Sequence, residues 1–357
     1  MGRSRRAAYR DPVRLLRPAA AALLALATVA GTAATTAVPT AVAAVAGSAA
    51  PVDTADLAVT GFALGSLRNG TLDRDADVLD TVTVAGVGLR AAGDSVAPTT
   101  PDMARVRAAA EARGLATELV VSNYSNRLED FDPRAVHRLL GDPDHVAAVA
   151  RQVADRATDG GWGGVNVDLE RVRASDAAGL TDFVEAVDAA LPQTSTVSVD
   201  VSAATSTRQY RQRGYHLGGL GRAADVVVLM TYDLHGPTWS GAGPIGDLRW
   251  QRRVVEAASE HVDPARLDLG VAGYGYTWPR RGTGRTLTPA GARRLAERDG
   301  VRPRWHADSA EWSVVLRDGT RIRWSDGRSY RTRVRLADRL GLHGVAVWRL
   351  GSADPLV

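Results

Sequence analysis

The sequence predicts an α/β fold, a (β/α)8 TIM barrel with a small α+β insertion between its seventh and eighth strands. Three observations carry this. Eight short, Val-rich apolar runs recur along the chain, at 57–62, 81–87, 118–122, 164–169, 196–201, 226–231, 267–272 and 344–348. Continuous apolar runs of this length are the mark of strands buried on both faces. The stretches between them carry Ala, Leu and Arg at helical spacing, and eight strand–helix units in roughly 300 residues make one barrel. A doubly wound open sheet is the alternative arrangement of the same units.

The chain opens on a segment of different character. Residues 1–46 hold six Arg against the single acid Asp11, and 19–30 is an unbroken run of Ala, Leu, Val and Thr. Ala41-Val42-Ala43 and Ala44-Val45-Ala46 both fit an A-x-A cleavage site, so 1–46 reads as an export signal and 47–55 as a linker. The Ala-rich stretch is too weakly apolar to stay in a bilayer as a stable span of about 20 residues. The remaining 56–357 is expected to work outside the cytoplasm, in the extracellular or cell-wall space, as a monomer with no stable membrane insertion.

Within 56–357 the helices announce themselves. Thr100-Pro101 combines an N-cap with Pro at the first helical position, and Gly114 closes that stretch. Val146, Val149, Ala150 and Val153 share one helical face, which Gly160-Gly161 terminates, and Leu180, Phe183, Val184 and Val187 repeat the spacing. The interval after the seventh run is too long for one helix. It holds a Thr288-Pro289 helix start and two β-rich runs flanking Asp318-Gly319, which predicts a hairpin and places the insertion over 279–341.

Composition removes several function classes. With 45% hydrophobic and 24% charged residues the chain is globular, and the absence of Cys excludes disulfide frameworks, thiolate metal sites and Cys nucleophiles. The net charge of +4 lies in the export signal, so the exported chain is near neutral and no general nucleic-acid footprint is present. Residues 280–349 nevertheless contain 17 Arg and seven acids, a solvated face or a wall for an anionic polymer. No H-x-x-x-H or H-E-x-x-H spacing occurs, so neither metal nor cofactor is expected. The glycines at 160–164 precede a strand and form a turn, not a phosphate-cradling loop.

The chemistry concentrates at the fourth run. In Gly163-Gly164-Val165-Asn166-Val167-Asp168-Leu169-Glu170, alternation puts Asn166, Asp168 and Glu170 on one face and Val165, Val167 and Leu169 on the other. In a closed barrel the polar face points inward, where each unpaired group costs roughly 2–7 kcal/mol. Its place at the C-terminal end of a strand is where barrel enzymes keep catalytic groups. A buried hydrogen-bonded cluster is the structural alternative.

This stretch resembles the glycoside hydrolase family 18 signature D-x-x-D-x-D-x-E, most closely the spore-germination and cortex-lysis branch. Further segments agree in order: Met230-Thr231-Tyr232-Asp233, Gly273-Tyr274-Gly275-Tyr276-Thr277-Trp278, and Val347-Trp348-Arg349-Leu350-Gly351. The resemblance spans about 56–355 and implies a secreted, retaining hydrolase of β-1,4 bonds beside N-acetylglucosamine, in peptidoglycan glycan or chitin oligosaccharides. It implies Glu170 as the general acid. Asp168 would orient the substrate acetamide and stabilise the oxazolinium ion, and Tyr232 would hold the acetamide carbonyl. Asp233 would support Tyr232, and Trp348 would form the floor beneath the sugar. Tyr274 and Trp278 fall to substrate binding. Asn166 is expected to hydrogen-bond Asp168, and Asn123 and Asp200 are candidates for lining the cleft. An internal acetamide nucleophile needs no second protein carboxylate, but it needs an acid protonated near neutral pH. Two signature positions depart, with Gly163 and Asn166 standing where Asp is usual. A non-catalytic, lectin-like barrel binding the same glycans is the reading from another class.

Overall fold

The computed structural model of the protein describes residues 57–357. The export signal and linker lie outside them. Eight parallel strands, numbered here as barrel strands, close on themselves: β1 (Ala58–Leu64), β2 (Thr81–Gly88), β3 (Ala116–Ser122), β4 (Gly164–Asp168), β5 (Thr196–Ser202), β6 (Val226–Met230), β7 (Leu267–Ala272) and β8 (Gly344–Trp348). Closure is made by β1 lying beside β8, with Ala58 opposite Gly344 and Gly61 opposite Val347. That pairing excludes the open doubly wound sheet.

The helices form for the reasons legible in their ends. Thr100 caps Pro101–Glu111 by accepting from the Met103 amide, and Asp142 caps Pro143–Asp159, which buries Val146, Val149, Ala150 and Val153 against the strands. Gly161 follows with a φ of +69°, a backbone region that favours glycine. Outward strand residues such as Val165, Val167 and Leu169 join these helical faces in the main core.

Inside the barrel, Phe62, Val120, Val228 and Ala346 form a small apolar plug with Trp348 packed against it. A polar layer accompanies it: Thr83, Glu118, Asn166, Ser198, Asp200 and Asp268 are all buried. Its members are paired. Thr83 and Ser198 donate to Glu118 at 2.8 and 3.0 Å, and Asp268 meets His343 at 2.7 Å.

The insertion is a five-stranded antiparallel sheet with one helix, Pro289–Arg298, packed on it. The predicted hairpin is present as strands Glu311–Val315 and Arg321–Trp324, with Gly319 in the turn at a φ of +83°. Its limits differ from 279–341. The sheet begins at Gly275, because Gly275–Trp278 pairs with Arg321–Trp324. The final helix, Gly327–Arg339, packs on β7 and β8 and so belongs to the barrel's outer layer. Strand pairing and helix packing are long-range facts, invisible to a reading of composition along the chain.

Candidate active site

Asp168 ends β4 and Glu170 follows it on the same inward face. Both are half-buried. The backbone around Glu170 is fixed by Asn123, which follows β3. Its side-chain amide donates to the Glu170 carbonyl at 3.0 Å and its Oδ1 accepts from the Glu170 amide at 2.8 Å. Asn123 is 1% exposed, so it holds the acid's peptide and does not line the cleft. The next residue, Arg171, has a φ of +59° and pairs with Asp130 at 2.7 Å. A non-glycine residue in that region costs on the order of 1–3 kcal/mol, which the surrounding bonds must offset.

Asn166 departs from the expectation drawn above. Its amide donates to Ser198 Oγ at 3.0 Å and to Asp200 Oδ1 at 2.9 Å, both on β5, and not to Asp168. The reason is the register: Asn166 lies opposite Ser198, so β5 is its neighbour across the sheet. Asp168 instead receives a hydrogen bond from Ser122, and its Oδ1 is a buried acceptor without a partner. Gly163 sits at the other end of β4, about 16 Å from Asp168 at strand rise. A Cβ there would approach the Thr117 carbonyl, so this position touches the barrel's foot and not the carboxylates.

After β6, Tyr232 is half-buried and Asp233 adopts a φ of +60°. Asp233 Oδ1 accepts from the Tyr274 hydroxyl at 2.5 Å and the Tyr276 hydroxyl at 2.7 Å. Tyr274 is 2% exposed and Trp278 9%, and the Trp278 indole donates to the Gly236 carbonyl at 3.0 Å. Neither presents a face to a ligand. Their sequence-assigned contact with substrate is replaced by support of Asp233 and of the loop after β6. Trp348 is half-buried with its ring 5.6 Å from Phe62, at the centre of the barrel mouth.

Burial dominates the electrostatics. It raises Glu170 well above the usual carboxyl range, reinforced by the negative charges of Asp168 and Asp233 and opposed by Arg171. Asp168 is pushed up to about 6, also by burial, with the Ser122 hydrogen bond opposing. Asp200 is raised well above its ordinary value by burial and then by Asp168. Tyr232 is raised well above the usual phenol range by burial and by the charges of Asp200 and Asp168, so its hydroxyl stays a neutral donor. The site therefore offers a protonated acid, an anion two residues away and a neutral hydroxyl, over an indole floor.

Two contributors escaped the sequence reading. Tyr215, buried after β5, meets Ser202 Oγ at 3.2 Å, and the charges of Glu170 and Asp168 add to the burial that raises its hydroxyl. Nothing local in the sequence marks it. Tyr276 was signalled by the Tyr274-Gly275-Tyr276 alternation, which puts both hydroxyls on one side.

The chain is similar to several known proteins in sequence and in fold. A protein of Bacillus subtilis (strain 168) described as uncharacterized glycosylase YvbX is 24% identical over 252 residues, 68% of this chain and 73% of its own. The putative sporulation-specific glycosylase YdhD of the same organism is 31% identical over 149 residues, 42% of this chain and 35% of its own length. The spore cortex-lytic enzyme SleL of Bacillus cereus superposes with a TM-score of 0.75 at 19% identity, over 84% of this chain and 72% of that one, a likeness of fold. A chitinase from Chromobacterium violaceum gives a TM-score of 0.74 at 25% identity, covering 84% of this chain and 95% of that one. The model of the family described as glycosyl hydrolases family 18 matches residues 103–353, and the chain belongs to that family.

Proposed function

We propose that the protein is an exported, retaining glycosidase that cleaves β-1,4 bonds next to N-acetylglucosamine by substrate-assisted catalysis, acting as a monomer outside the cytoplasm. The carrying observation is Asp168 with an unpartnered buried Oδ1 beside a Glu170 whose proton is retained by burial. An orphaned buried acceptor costs about 1–3 kcal/mol, and the N–H of a 2-acetamido group is a donor that would relieve it. Glu170 would protonate the glycosidic oxygen and Tyr232 would donate to the acetamide carbonyl. Trp348 would lie beneath the sugar's apolar face. Holding the acetamide in attacking position is worth about 7–11 kcal/mol of the barrier. Membership of a glycosidase family and the likeness to chitinase and cortex-lytic folds support the reading.

The test is release of fluorophore from a chitobioside and of reducing ends from peptidoglycan glycan, by the wild type and Glu170→Gln. Turnover should fall by about 10²–10⁴ in the variant while binding persists. The wild-type rate should also fall as pH drops through about 6, where Asp168 takes a proton. Equal rates from the two proteins would remove Glu170 from the mechanism. Binding without cleavage of either glycan by the wild type would make the barrel lectin-like.

A further inference from the structure

The residue after the acid is a cation. Arg171 follows Glu170 directly. A guanidinium so placed could fold back onto the carboxyl and hold it ionised, which would end its use as a proton donor. The fold sends it elsewhere. Arg171 takes a φ of +59°, and its guanidinium pairs with the half-buried Asp130 at 2.7 Å.

Asp130 is presented by a small ribbon that follows β3. Tyr124–Ser125 pairs antiparallel with Asp130–Phe131, Tyr124 opposite Phe131 and Ser125 opposite Asp130. The Tyr124 and Phe131 rings meet edge to face at 5.5 Å. The Asp130 carboxyl is itself fixed, because its Oδ1 accepts from the Phe131 amide at 2.8 Å while its Oδ2 meets Arg171. The foot of the ribbon is tied to the same stretch. Asn123 donates to the carbonyls of both Asp132 and Glu170, at 3.2 and 3.0 Å, and the Asp132 amide donates to the Asn123 carbonyl at 2.9 Å. Ribbon and acid are thus joined at two points, one through the peptide of Glu170 and one through the charge of Arg171.

The charges around Glu170 give the second joint its meaning. Asp168 on β4, Asp200 on β5 and Asp233 after β6 all favour the protonated acid, and Arg171 is the charge that opposes them. Tyr215 and Tyr232, whose hydroxyls feel the same carboxyl, are kept neutral by burial. The other ionisable side chains of the ribbon, Arg127 and Glu129, are exposed. We propose that Asp130 is a positioning residue: it holds the Arg171 guanidinium on the ribbon and leaves the Glu170 carboxyl without a counter-ion. An ion pair this open to solvent adds little to stability, so its effect falls on the proton affinity of the acid and not on the fold. The inference rests on the glycosidase reading for its catalytic meaning.

Asp130→Asn tests this, because its amide oxygen can still accept from Phe131 while the charge is lost. The pH dependence of kcat/KM on a fluorogenic chitobioside is measured for the wild type, Asp130→Asn, Arg171→Gln and the two substitutions together. Glu170 acts while it holds its proton, so the rate is lost as pH rises through its titration. An unneutralised guanidinium favours the carboxylate. Asp130→Asn should therefore move that alkaline limb down by about one pH unit, a roughly tenfold loss of rate along the limb. Adding Arg171→Gln should return the limb to the wild-type position or above it. A limb unmoved in Asp130→Asn, or moved and not restored by Arg171→Gln, overturns the proposal. The Glu170 carboxyl is also titrated without substrate by carbon-13 NMR, its signal recognised by its loss in Glu170→Gln. The same downward movement in Asp130→Asn, reversed by Arg171→Gln, in a protein whose wild type cleaves nothing would sustain the role of Asp130 and defeat the glycosidase reading.

Discussion

Glu170 can serve as an acid at neutral pH only because its carboxyl is kept from ionising by burial and by Asp168 and Asp233. The same reasoning explains the departure at Asn166. Its amide donates to Asp200 Oδ1 at 2.9 Å, so a carboxylate on β5 is matched by an amide on β4. Restoring the family's usual residue should therefore harm this protein. Asn166→Asp would set two carboxyls in contact, and they could not both ionise. Its urea midpoint should fall relative to wild type by more at pH 8 than at pH 5. Asn166→Asp with Asp200→Asn restores one amide and one carboxyl and should recover most of the loss. Additive effects of the two substitutions would show that the pair is uncoupled. The sequence showed the departure but not its complement, because nothing in a linear reading says that Asn166 faces β5.

At the scale of elements, the strands and capped helices were readable because their determinants are local: a Val-rich run, Thr100 before Pro101, Asp142 before Pro143. The supports of the site were not, because they join distant segments. Asn123 bonds Glu170 across 47 positions. Glu311, on the insertion's sheet, accepts from the Ile245 and Gly246 amides at 3.0 and 2.7 Å and lies 3.5 Å from Arg333. Arg333 in turn donates to the Gly246 carbonyl at 2.5 Å. The insertion thus fastens the loop that begins at Tyr232 and Asp233. Glu311→Ala would leave two amides without their acceptor and the buried Arg333 guanidinium without its counter-charge, at a cost of about 3–5 kcal/mol. The urea midpoint should drop accordingly, with turnover lost in parallel as the loop is released. A midpoint within experimental error of wild type would mean that the loop is held by its own contacts. Those are the Leu234 amide to the Ile245 carbonyl and His235 to the Pro244 carbonyl, each 2.9 Å.

Taken as a whole, the molecule keeps an acidic interior inside a rim and insertion rich in arginine, and this arrangement dictates how stability responds to pH. Burial raises Glu118, Asp168, Glu170, Asp200, Asp233, Asp268 and Glu311 above their ordinary values. Between the unfolded value near 4 and each raised folded value, the native state holds protons that the unfolded chain has released, so stability falls as pH rises. His343 acts in the same direction. Its hydrogen bond to Asp268 raises it, so its contribution is fully present below an unfolded value of about 6.5 and is lost as pH rises through the folded one. His306 opposes them, being lowered by burial and by Arg323, but it is a single group against many. The urea midpoint should therefore decline steadily from about pH 5 to pH 8. Asp200→Asn removes one of the raised carboxyls and should flatten the decline. A midpoint that rises across this range would mean that the interior carboxyls ionise freely. In that case Glu170 would not hold its proton at neutral pH, and the assignment of the acid would fall with the stability argument.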